Sequence, residues 1–97
     1  MAELLTDTQI DEALQHLPEW TKDGTRLTRT VEFAGFPQAI QAVNRIAEIA
    51  ETEHHHPDFD VRWRTVTFYC RTHSQGGITG QDVSMAEEID GVVDALS

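Results

Sequence analysis

The sequence has few of the residues on which several common protein classes depend. Cys70 is its single cysteine, which excludes an internal disulfide and any paired-cysteine metal motif. It has no basic segment followed by an apolar run, which a signal peptide would need, and no apolar run long enough to span a bilayer. We therefore expect a soluble, cytoplasmic protein.

Basic residues are also scarce. Seven lysines and arginines stand against 17 aspartates and glutamates, which gives a net charge of −10. Such a charge repels phosphate backbones and anionic lipid headgroups, so we expect neither nucleic acid nor a membrane as a direct partner. The 97 residues suffice for one hydrophobic core, which predicts a single domain over residues 1–97. So small a domain has modest stability, so we also expect self-association.

The apolar residues alternate between a helical period and a strand period along the chain. The resulting order is helix, two strands, helix, two strands, helix. It predicts an α+β fold in which a four-stranded antiparallel sheet carries helices on one face. The boundaries come from a capping box at Thr6 and Gln9, a stop at Pro18, a hairpin turn at Asp23-Gly24, a stop before His56-Pro57, and a cap at Thr79 with Asp82.

Three consecutive histidines, His54 to His56, precede Pro57 at the predicted junction of the second helix and the third strand. The helix dipole would explain one histidine at a helix C-terminus. Three followed by proline are harder to explain in this way, because proline forces His56 into an extended conformation and so fixes the direction of its ring. Histidine titrates closest to neutral pH, so the run indicates acid–base chemistry. A solvated helix end is the alternative.

His73 lies 16 residues after Pro57, at the far end of the second hairpin. Because a hairpin returns the chain towards its start, we expect His73 to approach His55 and His56. Strict alternation along the strand would put His73 on the opposite sheet face. The expectation therefore requires the strand to end or bulge near Thr72.

Asp82 lies in the first turn of the last predicted helix, on its packed side. Its carboxylate can cap the helix together with Thr79, orient a histidine, or do both. Among the remaining candidates, Trp63 is predicted to lie in the core and His16 on the surface.

In combination, these residues resemble the pterin-4a-carbinolamine dehydratases over nearly the full length of the chain. Two residues depart from the family pattern. The family usually has lysine where this chain has Thr52, and an acid or amide where this chain has His54. The resemblance rests on His55-His56-Pro57, Trp63, Thr72-His73 and Asp82 at the family's spacing, and on Leu17-Pro18-Glu19-Trp20 before the first hairpin.

The resemblance implies a homodimer or homotetramer that uses no metal or other cofactor. It would remove water from 4a-hydroxytetrahydropterin, such as 4a-hydroxytetrahydrobiopterin, to give quinonoid dihydropterin during pterin cofactor recycling. One histidine would protonate the departing hydroxyl and another would take the proton from N5. The implied catalytic residues are His55, His56 and His73, and the implied substrate-binding residues are these three with Pro57, Thr72, Ser74, Gln75 and Asp82.

Two other functions stay open. Imidazole binds zinc, nickel and copper, so the histidines with Glu51 or Glu53 could form a metal site. Adjacent histidines tend to point apart, which weighs against it. The family's fold also serves as a dimerisation or assembly module with little or no catalysis, and the three retained histidines weigh against that function.

Overall fold

The computed structural model describes residues 3–96, and none of the helices in that range is long and apolar enough to cross a membrane. The predicted order of helices and strands is confirmed. The elements are α1 (Asp7–Gln15), β1 (Thr21–Asp23), β2 (Arg26–Glu32), α2 (Phe36–Glu53), β3 (Asp58–Arg62), β4 (Thr65–Cys70) and α3 (Gly80–Leu96), with a 3₁₀ turn at His73–Gln75 between the last two.

The four strands form one antiparallel sheet in the order β1-β2-β4-β3. Along β4, Val66, Phe68 and Cys70 are buried in the core with Ile46 of α2 and Ile89 of α3. The alternate side chains of β4 lie on the other side of the sheet and are partly exposed. We call that side the open face. The predicted four-stranded antiparallel sheet with helices on one face is therefore confirmed.

Arg29 breaks the apolar alternation of β2, and its partner explains why. Its side chain is only 14% exposed, and its guanidinium donates to Oδ1 of Asp90 on α3 at 2.5 Å. The indole N–H of Trp20 donates to the same oxygen at 2.7 Å. An inward-facing charge is tolerated at this point because the distant helix supplies an acid.

The prediction that Trp63 lies in the core is wrong, because its side chain is 71% exposed. Arg62 pairs with Thr65 at the end of the hairpin, so Trp63 and Arg64 form the turn itself and lie outside the alternation of either strand. The backbone of Trp63 has a φ of 53°, which is rare for so bulky a residue. The guanidinium of Arg64 lies 4.8 Å from the centre of the indole ring.

Candidate active site

The end of α2 sets the direction in which the histidine run leaves the helix. His54 adopts the left-handed conformation, with φ 54° and ψ 36°. Its amide donates to the carbonyl of Glu51 at 3.4 Å, and the amide of His55 donates to the carbonyl of Ala50 at 3.1 Å. This pair of bonds is a Schellman motif, which closes the helix and reverses the chain. As a result, His54 is exposed while His55 and Pro57 are buried.

His55 is anchored to a fully buried carboxylate. Its Nε2 lies 2.7 Å from Oδ1 of Asp82, which is 0% exposed. The other carboxylate oxygen, Oδ2, accepts from the hydroxyl of Thr72 at 2.8 Å and from the backbone N–H of Thr79 at 2.9 Å. Asp82 therefore caps α3 and orients a histidine at the same time, and both of its oxygens are hydrogen-bonded.

The direction of each hydrogen bond in this network identifies the free ring atom of His55. Because the hydroxyl of Thr72 donates to Asp82, the hydroxyl of Thr79 must supply the proton of the 2.7 Å bond between the two threonines. The oxygen of Thr79 also accepts from the amide of Gln81 at 3.2 Å. An ionised carboxylate can only accept, so Nε2 of His55 carries a proton and Nδ1 is left for another partner.

His56 has a carboxylate partner at the surface. Its Nε2 lies 2.5 Å from Oε2 of Glu51, in the last turn of α2, and both side chains are largely exposed. The hydrogen bond from His56, followed by the positive charge of its ring, holds the pKa of Glu51 below its ordinary value.

His73 lies where the strand has already ended. Strand β4 stops at Cys70, the amide of Thr72 donates to the carbonyl of Gly77 at 2.8 Å, and His73 begins the 3₁₀ turn. The break near Thr72 that the position of His73 required is therefore present. Nε2 of His73 lies 3.7 Å from Oδ2 of Asp58, which is an ion-pair distance but too long for a direct hydrogen bond.

Residues 3–96 contain no hydrogen bond or ion pair that joins one of the three candidate histidines to another. Each instead faces its own carboxylate through Nε2: Asp82 for His55, Glu51 for His56 and Asp58 for His73. Of the three acids, only Asp82 was predicted from the sequence as a partner of a histidine. Glu51 was considered only as a possible metal ligand, and Asp58 was not predicted at all. Ser74 and Gln75 continue the 3₁₀ turn, and the amide of Gln75 donates to the carbonyl of Thr72 at 3.1 Å.

A cavity of about 270 Å³ borders His55 between α2 and α3, lined also by Glu53, Gln81 and Ser84. A wider hollow of about 400 Å³ lies beside it and has Glu48, Thr52 and Glu88 in its wall, but no imidazole. We therefore regard the smaller cavity as the one that belongs to the histidine site. Within the described range, no three His, Cys, Asp or Glu side chains converge to hold a metal ion, so the metal-site alternative has no ligand set there.

The fold and this site define a class of small α+β protein with two histidines at a helix-to-strand junction and a third in the turn after the last strand, each with its own carboxylate partner. The profile of the family described as Pterin 4 alpha carbinolamine dehydratase matches residues 3–92. The chain belongs to this family, as the sequence resemblance predicted.

Relatives of known sequence and structure agree with this assignment. The chain is 57% identical over 88 residues to a protein of Nocardia farcinica, covering 91% of this chain and 93% of the relative. It is 59% identical over 87 residues to one of Mycobacteroides abscessus, covering 90% and 93%. Both carry provisional names as pterin-4-alpha-carbinolamine dehydratases. A crystal structure from Brucella melitensis, titled a transcriptional coactivator/pterin dehydratase, matches with a TM-score of 0.90 and 30% identity over 93% of this chain and 98% of that one.

Proposed function

We propose that this protein dehydrates a 4a-hydroxytetrahydropterin by histidine acid–base catalysis, with His55, His56 and His73 as the catalytic residues. The observation that carries the proposal is the hydrogen bond between His55 and the buried Asp82, which orients one ring and selects its protonated nitrogen. Family membership supplies the substrate class. We further propose that the substrate is contacted by the three histidines with Pro57, Thr72, Ser74 and Gln75, and that Asp82 acts through His55.

The reaction breaks the C4a–O bond and forms the double bond between C4a and N5. The hydroxyl leaves as water after taking a proton from a general acid, while N5 gives its proton to a general base. Nδ1 of His55 suits the base, because it has a free lone pair and Asp82 balances the positive charge that forms on the ring. His56 or His73 acts as the acid, beside Glu51 or Asp58.

The decay of freshly prepared 4a-hydroxytetrahydropterin tests this function. The wild-type protein should accelerate decay by about 10² to 10⁴, the usual contribution of general acid–base catalysis. His73→Ala should lose most of that acceleration. His16→Ala is the matched control, because His16 is an exposed histidine at the end of α1, and it should leave the rate unchanged. If the wild-type protein did not exceed the spontaneous rate, the enzyme proposal would be wrong.

A second candidate function is a binding module, which the coactivator title of the Brucella melitensis relative favours. A protein that folds but does not accelerate the reaction would support this function instead. If the protein is an enzyme, we propose that its activity supports pterin cofactor recycling. We also propose that it is a homodimer or homotetramer.

A further inference from the structure

Arg71 is a partly buried cation that has no acidic partner within the part of the chain that the structure describes. All seven lysines and arginines lie within residues 3–96, and five of them have an ion pair with an acid in that range. The two without one are Arg45, which is exposed on α2, and Arg71, which is half-buried after β4. The Nε atom of Arg71 is fully buried and has no hydrogen-bond partner among the described residues. Nε of Arg64 is buried without a partner in the same way, but Arg64 has an ion pair with Glu32, so only Arg71 combines a buried Nε with the lack of an acid in the described range. Partial burial of an unpaired cation is unfavourable, and this chain has a large excess of acids.

The residues on either side of Arg71 determine which way its side chain points. Cys70 is buried on the helix side of the sheet, and Thr72 is extended, with its hydroxyl in the buried network of Asp82. Neighbouring side chains of an extended segment lie on opposite sides. Arg71 therefore lies on the open face, two residues before His73.

A second guanidinium lies next to Arg71 on the open face. Leu27 pairs with Cys70, so Arg26 and Arg71 occupy neighbouring positions on adjacent strands. The guanidinium of Arg26 lies over the ring of Tyr69, 4.1 Å from its centre, where the aromatic face holds it in place. Asp23 accepts from Arg26 at 3.0 Å, so the charge of Arg26 is partly balanced whereas that of Arg71 is not.

The position of Arg71 also connects it to the histidine site. Asp58 pairs with Tyr69 at the first position of the β3–β4 register. Continued by two residues, this register sets Arg71 opposite His56. Arg71 thus lies across from His56 and two residues before His73 on the same chain segment.

We propose that Arg71, with Arg26 beside it, binds an oxyanion carried on the side chain of the pterin substrate. The guanidinium is a planar fork of donors with no acceptor, so it matches a carboxylate or phosphate group. The identification of the pterin as the molecule that carries the anion rests on the proposed function. The anion site itself rests only on the unpaired Arg71 and its surroundings, because a free anion offers the same chemistry.

Two pterins that differ in one group test whether the bound anion belongs to the pterin substrate. The two 4a-hydroxytetrahydropterins have a neutral hydroxymethyl substituent or its phosphate ester. Wild-type protein should show the lower KM for the phosphate ester. Arg71→Gln should raise that KM by about tenfold or more beyond any rise for the neutral pterin, the usual effect of losing a charge-assisted hydrogen bond. Arg71→Lys should recover part of the loss. Arg45→Gln, which removes the other arginine that has no acidic partner among residues 3–96, should change neither KM.

Inorganic phosphate tests the anion site without any turnover. Titration calorimetry at low ionic strength should detect phosphate binding to wild-type and Arg45→Gln proteins and a loss of binding in Arg71→Gln. Phosphate binding without a preference for the phosphorylated pterin would overturn the pterin as carrier. If neither pterin is dehydrated but phosphate binds through Arg71, the proposed function fails and the anion site stands. Absence of both phosphate binding and pterin preference would overturn the whole inference.

Discussion

Glu51 and His56 form the exposed acid–histidine pair of the candidate site. In His56→Ala, the carboxyl of Glu51 loses both a hydrogen bond and a neighbouring positive charge, so its pKa should rise towards the ordinary value. Carbon-detected NMR titration of the Glu51 carboxyl measures this directly, and His16→Ala should leave the midpoint where it is in the wild type. An unchanged midpoint in His56→Ala would show that the pair does not form in solution.

The sign of the pH effect on stability follows from the same pair. The pKa of Glu51 is lower in the folded chain than in the unfolded chain. The pair therefore favours folding above the unfolded pKa of this carboxyl, and this contribution is lost as pH falls through the lower, folded pKa. His56→Ala should lack this part of the acid sensitivity.

At the scale of residues, the sequence predicted the part of the site that local rules describe. Asp82 stands at a capping position three residues after Thr79, so its place in the first turn of α3 was predictable. Its bond to His55 crosses 27 residues, and only the packing of α3 against the end of α2 brings the two together. Asp58 meets His73 through the antiparallel return of β4; the return itself was predicted, but not the side chain that His73 would face at the end of it.

The end of α2 gives a prediction about a helix terminus. His54 holds a left-handed conformation that costs most side chains about 1–2 kcal/mol and costs glycine far less. His54→Gly should therefore raise the free energy of unfolding by about 1 kcal/mol, and the melting temperature by about 4–8 °C. His54→Val should lower both, because a β-branched side chain suits a positive φ poorly. Thermal unfolding followed by circular dichroism compares the three proteins, and a less stable glycine variant would contradict this account.

At the scale of elements, the predictions succeeded where the apolar period was long and ended at a clear signal. The first helix begins at its predicted capping box, in which the side chain of Gln9 accepts from the amide of Thr6 at 2.9 Å. The prediction for Trp63 failed because its turn contains neither glycine nor asparagine, the residues that usually mark a positive φ. No signal of a turn was present, so the aromatic side chain was assigned to the core.

The contact of Trp20 and Arg29 with Asp90 adds polar bonds to the apolar core between layers, since it joins the residue before the first hairpin and strand β2 to the last helix. Asp90→Ala would leave a poorly exposed guanidinium and an indole N–H without their acceptor, at a cost of about 2–3 kcal/mol. Urea unfolding should show this loss. Glu87→Ala, an exposed acid on the same helix, is the control and should cost much less. Equal costs for the two variants would mean that the three-way contact does not stabilise the fold.

At the scale of the whole molecule, the order of elements was sufficient to predict one antiparallel sheet with helices on one side. The exact strand order and the partner of Arg29 were not predictable, because both depend on contacts between distant segments. Arg29, the charged residue that breaks the apolar alternation of β2, forms an ion pair between the sheet and the helix layer.

The single thiol has a consequence for how the protein withstands oxidation. Cys70 lies at the end of β4 with its side chain wholly inside the core, and burial, followed by the negative charge of Asp82, raises the pKa of this thiol far above its ordinary value. The thiolate is the form of cysteine that attacks peroxides and disulfides, and this environment disfavours the thiolate and shields it. While the chain is folded, Cys70 should therefore neither be oxidised nor form a disulfide between two copies of the protein.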